Sequence, residues 1–200
     1  VIRTACAQNK TWQDLGLPPI RVAVNLSGRH FLQQNLVRTI AKALEETGLE
    51  PQYLEIEITE SIAIQNVEFT ISVLQSLQKM GIHISIDDFG TGHSSLWSLK
   101  RFPLNTLKID RSFVRDLIDN PKDAAIINAV IALGHGLDLK VIAEGVETPE
   151  QFSFLRAVNC DGVQGYLFSP PLSAKAATQL YLSKTNVQVA QEYLTLHKLA

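Results

Sequence analysis

Apolar runs of strand length recur along the chain, with helical stretches between them. The runs are RVAVNLS at 21–27, LEIEIT at 54–59, HISIDD at 83–88, TLKID at 106–110, KVIAEGV at 140–146 and GVQGYLF at 162–168. Helical periodicity fills 30–48, 62–80, 94–101, 111–136 and 149–158, each stretch ended or followed by Gly, Pro or Asn. The opening VIRTACAQNKTWQDLG reads as the middle of an amphipathic helix, and a last helix is predicted from Ala174 to Lys184. The tail at 185–200 is ambiguous, one more helix being one reading. Strand followed by helix, six times over, predicts an α/β chain with parallel strands and helical crossovers.

Reading each strand with period two separates its faces. One face is apolar throughout: Val22, Val24 and Leu26; Leu54, Ile56 and Ile58; Ile82, Ile84 and Ile86; Leu107 and Ile109; Leu139, Val141 and Ala143. That face belongs under the helices. The other carries Asn25; Glu55, Glu57 and Thr59; His83, Ser85 and Asp87; Thr106 and Lys108; Lys140 and Glu144; and Gln164. Polar groups gather near the carboxyl ends of all six strands, which is where parallel barrels build their sites. An open doubly wound sheet would draw its site from two or three strands at one crevice. Six contributing strands favour the barrel.

Composition narrows the class. With 46% hydrophobic residues, 19% charged residues and a net charge of -2, the chain is neither a disordered tail nor a basic binder of nucleic-acid polymers. An anionic ligand would need a metal or a placed lysine. Cys6 and Cys160 match no zinc or redox spacing and read as small core residues of a cytoplasmic protein. No run approaches the roughly 18 apolar residues of a membrane span, so no membrane contact is expected of this segment.

The adjacent aspartates Asp87 and Asp88 focus the chemistry, because neighbouring carboxylates repel unless a cation, metal or water offsets them. Asn25, Glu57, Asp87, Asp88 and Glu144 form an all-oxygen set suited to Mg²⁺, Mn²⁺ or Ca²⁺ rather than zinc or copper. Four carboxylates exceed what one magnesium usually takes. Two cations roughly 4 Å apart, bridged by Asp87, would account for the excess and suit phosphate-ester hydrolysis. Lys108 can hold a water nucleophile and balance charge on a phosphoryl oxygen, or serve as counter-ion to the carboxylates. GTG at 90–92 lacks the phosphate-loop pattern and reads as a mobile loop. His83 and His93 read as structural, and Asp110 as a helix cap. Glu147 is either a neighbour of the metal ligands or a helix-start charge.

NLS at 25–27, EITE at 57–60, DDFGTG at 87–92, KID at 108–110, AEGVE at 143–147 and QGY at 164–166 together resemble the EAL-type cyclic-di-GMP phosphodiesterase domains, in order and over about residues 1–175. The resemblance implies a modified TIM (βα)8-type barrel and Mg²⁺- or Mn²⁺-dependent hydrolysis of cyclic di-GMP to linear pGpG. It further implies that Asn25, Glu57, Asp87, Asp88 and Glu144 bind two metals and that Lys108, with Asp87 and Glu144, is catalytic. Glu60 would anchor the loop after the aspartate pair and couple it to dimerisation. Gln164 and Glu147 would lie near the metals or substrate. His93 stands where the family commonly has Tyr.

The Glu-Ala-Leu motif itself is absent; KALEE at 42–46 sits in a helical stretch. About two barrel strands and one metal ligand are therefore expected upstream, leaving 1–184 as an incomplete EAL domain. The strands at Arg21 and Gly162 would then lack neighbours, so the fragment is expected to be unstable, to self-associate or to pair with another chain, and alone to have weak or no activity. The whole protein is expected to carry an upstream sensor or diguanylate-cyclase-like (GGDEF-type) domain, and to form a homodimer. Two rival readings are a catalytically inactive module that binds cyclic di-GMP or protein partners, and a barrel phosphoesterase acting on another nucleotide.

Overall fold

The computed structural model describes residues 1–92 and 96–183. His93 and the tail at 185–200 lie outside them. The chain divides into two units: Val1–Asp87 with Gly92–Asn105, and Asp88–Thr91 with the chain from Thr106 onward.

In the first unit, three parallel strands, β1 (Val22–Asn25), β2 (Leu54–Thr59) and β3 (His83–Phe89, shared at Asp87), pair in chain order. The expected apolar face is buried from Val24 to Ile86, with Ile56, Ile58 and Ile84 wholly excluded from solvent. Each such side chain contributes about 1.5–3 kcal/mol of burial. Helices α1 (Ile2–Asp14), α2 (Gly28–Phe31), α3 (Leu36–Thr47), α4 (Glu60–Gln65), α5 (Val67–Lys79) and α6 (Leu96–Arg101) complete this unit. Helix α3 buries Leu36, Ile40, Ala43 and Leu44, one face at helical spacing, and stops at Gly48, whose φ of 67° few other residues adopt. Buried Asn9 on α1 donates to the carbonyls of Ile20 and Tyr53, both at 3.0 Å, just ahead of β1 and β2.

The second unit pairs β4 (Thr106–Ile109), β5 (Lys140–Glu144) and β6 (Gly162–Gln164) in parallel. Its helices are α7 (Arg111–Arg115), α8 (Pro121–Gly136), α9 (Pro149–Ala157) and α10 (Ala174–Leu182). Leu107, Ile109, Val141 and Ala143 are buried, as the alternation predicts. Asp161 accepts from the Val141 N–H at 2.8 Å and pairs with His135 on α8.

Several boundaries differ from the sequence reading. The stretch at 62–80 is two helices, because the Asn66 side chain caps α5 by accepting from the Phe69 N–H. The stretch at 111–136 also breaks, where Asn120 caps a helix that opens on Pro121. The strand expected at 162–168 ends at Gln164. A Cβ on Gly165 would fall 2.1 Å from the Val146 carbonyl oxygen, so the chain turns there against the β5 loop. None of the described helices is long and apolar enough to cross a membrane.

Candidate metal and catalytic site

In the first unit, parallel register does the positioning. Asn25 stands opposite Glu57, and Thr59 opposite Asp87, so all four belong to the carboxyl-terminal rows of their strands. Asn25 Nδ2 donates to Glu57 Oε2 at 2.8 Å, holding a buried carboxylate with a charge-assisted bond. Asp87 is also buried. Glu60, 2% exposed, is the first residue of α4. A Cβ on Gly92 would lie 2.7 Å from Glu60 Oε1, so this carboxylate rests directly against the loop that follows the aspartate pair.

In the second unit the geometry depends more on bends and loops. Asp88 has φ 55°, a left-handed conformation uncommon outside glycine. Simple alternation would send Asp88 to the face opposite Asp87; the bend ends that alternation. An Asp88 oxygen comes within 4.8 Å of a Glu144 oxygen. The bend closes through Thr91, whose N–H and hydroxyl both donate to the Asp88 carbonyl, at 3.3 and 2.8 Å. Lys108, only 3% exposed, forms an ion pair with Glu144, the last residue of β5. Glu144 in turn stands opposite Gln164, the last residue of β6. Glu147 is exposed in the loop between β5 and α9.

Asp110 does cap α7, accepting from the Ser112 N–H at 2.8 Å. It also touches Asp88, a contact the cap reading missed. Burial pushes its carboxyl up, but hydrogen bonding from Ser112, the contact with the Asp88 side chain and the charge of Arg111 together outweigh burial and hold it below the ordinary range. The sequence signal was its spacing: Asp110 lies two residues after Lys108, in the same period.

Oxygen is the donor atom throughout, and a pair of carboxylates as close as Asp88 and Glu144 favours a hard divalent cation. His83 stands apart at the amino end of β3, its Nε2 2.7 Å from Arg21 Nη2.

The family model that matches residues 1–171 is the EAL domain. The chain belongs to the EAL domain family. MucR of Pseudomonas aeruginosa, a bifunctional diguanylate cyclase/cyclic di-GMP phosphodiesterase, is 45% identical over 175 residues, which is 88% of this chain and 26% of MucR. A solved MucR phosphodiesterase in complex with c-di-GMP matches with a TM-score of 0.86 at 44% identity, covering 88% of this chain and 71% of that one. The manganese/cyclic-di-GMP complex of Klebsiella pneumoniae BlrP1 is 34% identical with a TM-score of 0.76, covering 84% of this chain and 43% of that one. This EAL domain therefore has the α/β barrel-type fold expected from its alternation. It spans 22% to 27% of the length of the curated relatives that it matches.

Proposed function

We propose that this EAL domain hydrolyses cyclic di-GMP to linear pGpG within a longer protein, using Mg²⁺ or Mn²⁺. The observation that carries the reading is the buried lysine–glutamate pair Lys108–Glu144, seated in a chain of the EAL family. Lys108 is too buried to be a surface charge, and its ammonium beside Glu144 supplies a fixed positive point where phosphoryl charge develops.

Asn25, Glu57, Asp87, Asp88 and Glu144 would hold the cations, two being the number that their carboxylates suit. Bound cations of this kind polarise phosphoryl oxygens and make water a stronger nucleophile. The chain's own part is positional. Asn25 orients Glu57, and the left-handed backbone at Asp88 turns its carboxylate toward Glu144. Lys108 orients the attacking water. Glu60 anchors the loop at Gly92, and Glu147 and Gln164 line the approach of the nucleotide. The BlrP1 complex with manganese and the cyclic dinucleotide supports this choice of ion and ligand.

The same proposal places the domain in the cytoplasm, in keeping with its free, buried cysteines. It includes a homodimer, for which Leu96 and Trp97 lie exposed on α6, and an accompanying cyclase-type domain like that in MucR's name. Incubating the full-length protein with cyclic di-GMP and Mn²⁺, and separating the products by chromatography, tests it. Linear pGpG is the expected product. Tight binding without turnover would point to a receptor instead, and preference for another dinucleotide to a different phosphoesterase.

A further inference from the structure

Gln151 is the third residue of α9, 6% exposed, and its side-chain amide is fully engaged. Its Oε1 accepts from the N–H groups of Glu147 at 2.8 Å and Thr148 at 3.1 Å. Its Nε2 donates to the carbonyls of Val114 at 3.1 Å and Arg115 at 3.2 Å. Two acceptances and two donations use the whole capacity of a carboxamide.

Half of this is ordinary. Thr148 Oγ1 accepts from the Gln151 N–H while Gln151 reaches back to Thr148, a reciprocal box that caps α9. Glutamate serves that box equally well, because the box needs only an acceptor. The other half needs the amide. Val114 and Arg115 end α7, the helix that follows Lys108 after only Ile109 and Asp110, while Glu147 and Thr148 lie in the loop that leaves Glu144. A single buried side chain thus joins the segment after Lys108 to the segment after Glu144. A second contact braces the same loop, since a Cβ on Gly145 would fall 2.5 Å from Arg111 Cβ at the start of α7. The loop is therefore held at both ends of α7.

We infer that Gln151 is a positioning residue for the Lys108–Glu144 pair and for Glu147, acting through its bridge to α7 rather than through its helix cap. The inference rests on the hydrolase reading above. It explains why an amide and not a carboxylate occupies the position: a buried carboxylate there would confront two carbonyl oxygens.

The test uses the full-length protein and three variants. Gln151→Glu keeps the cap acceptor and removes the bridge; Gln151→Met removes both at similar volume; Thr148→Ala removes the cap's other half and leaves the bridge. We expect kcat to fall about 10- to 100-fold in both Gln151 variants. KM for cyclic di-GMP should stay within about twofold. Half-saturating Mn²⁺, measured by titration without nucleotide, should rise about tenfold. Thr148→Ala should lower the melting temperature and leave kcat and Mn²⁺ binding unchanged. Hydrogen exchange at the Glu147 and Thr148 amides should quicken in Gln151→Met. A folded Gln151→Glu with wild-type kcat and Mn²⁺ titration would overturn the inference, as would a Thr148→Ala that loses as much turnover as the Gln151 variants. Should Gln151→Glu fail to fold, Gln151→Met carries the same reading. A wild type that turns over no cyclic di-GMP would sink the hydrolase reading, while the Mn²⁺ titrations would still judge Gln151.

Discussion

The two units place their polar residues by different means. In the first, register alone sets Asn25 beside Glu57, and one hydrogen bond completes the arrangement. In the second, Lys108 and Glu144 also sit on strands, but Asp88 is placed by a left-handed bend and Glu147 by a loop with little freedom: Gly145 lies on Arg111, Gly165 on Val146, and Gln151 on α7. Strand-borne residues tolerate change around them because the ladder holds their direction. Loop-borne residues inherit every error in the packing beneath the loop.

The largest effect should come from the ion pair of the second unit. Lys108→Met in the full-length protein is expected to lower turnover of cyclic di-GMP about 10²- to 10³-fold. An unchanged rate would reduce Lys108 to a counter-ion. Next come the glycines. Gly165→Ala must displace the Val146 backbone and should destabilise by about 3 kcal/mol or more, whereas a Cβ on Gly28 in the first unit meets Ile62 at an ordinary 3.4 Å. Gly28→Ala should therefore shift stability by less than about 0.5 kcal/mol. Equal losses in urea melts of the two variants would erase the contrast.

A smaller effect is expected at Asn25. Asn25→Asp replaces a donor to Glu57 with a second carboxylate, which should cost about 1–2 kcal/mol without metal. Adding Mn²⁺ should recover most of it, and thermal melts with and without the ion decide the matter. At neutral pH the smallest effect is that of the buried thiols, one in each unit, which shows only under alkaline conditions. Burial raises both, and Cys160 is pushed up to about 11 despite hydrogen bonds that oppose the shift. A raised folded value leaves its contribution intact below the unfolded thiol range and removes it as pH climbs through about 11. Between pH 9 and 11 the Cys160 term should fall by up to about 1.4 kcal/mol per pH unit, and Cys160→Ala should flatten that slope. At pH 8 neither thiol should react with a maleimide until the chain unfolds.

The same contrast explains what was legible in the sequence. Period-two alternation identified Val24, Ile56, Ile84 and Val141 as core and put Asn25, Glu57, Asp87, Lys108 and Glu144 on the other face, because a strand's direction is a local property. Asp88 was a different matter. Its approach to Glu144 depends on a left-handed backbone that no alternation encodes, and Asp-Phe-Gly gives no rule for which residue takes it. Helix breaks at Asn66 and Asn120 were missed since their apolar periodicity continues on both sides of the cap. Gln151 went unnoticed although Thr148-Pro-Glu-Gln151 has the spacing of a capping box. The pattern discloses the cap; the partner carbonyls on α7 lie 36 and 37 residues away and are visible only in space.

Asn9 has a mechanical corollary. With both amide protons committed to the carbonyls of Ile20 and Tyr53, α1 cannot tilt without first rupturing two interior bonds. Force applied at Val1 would travel along a stiff rod into the lead-ins of β1 and β2, so a tug on that end is felt at the strands instead of being absorbed by bending.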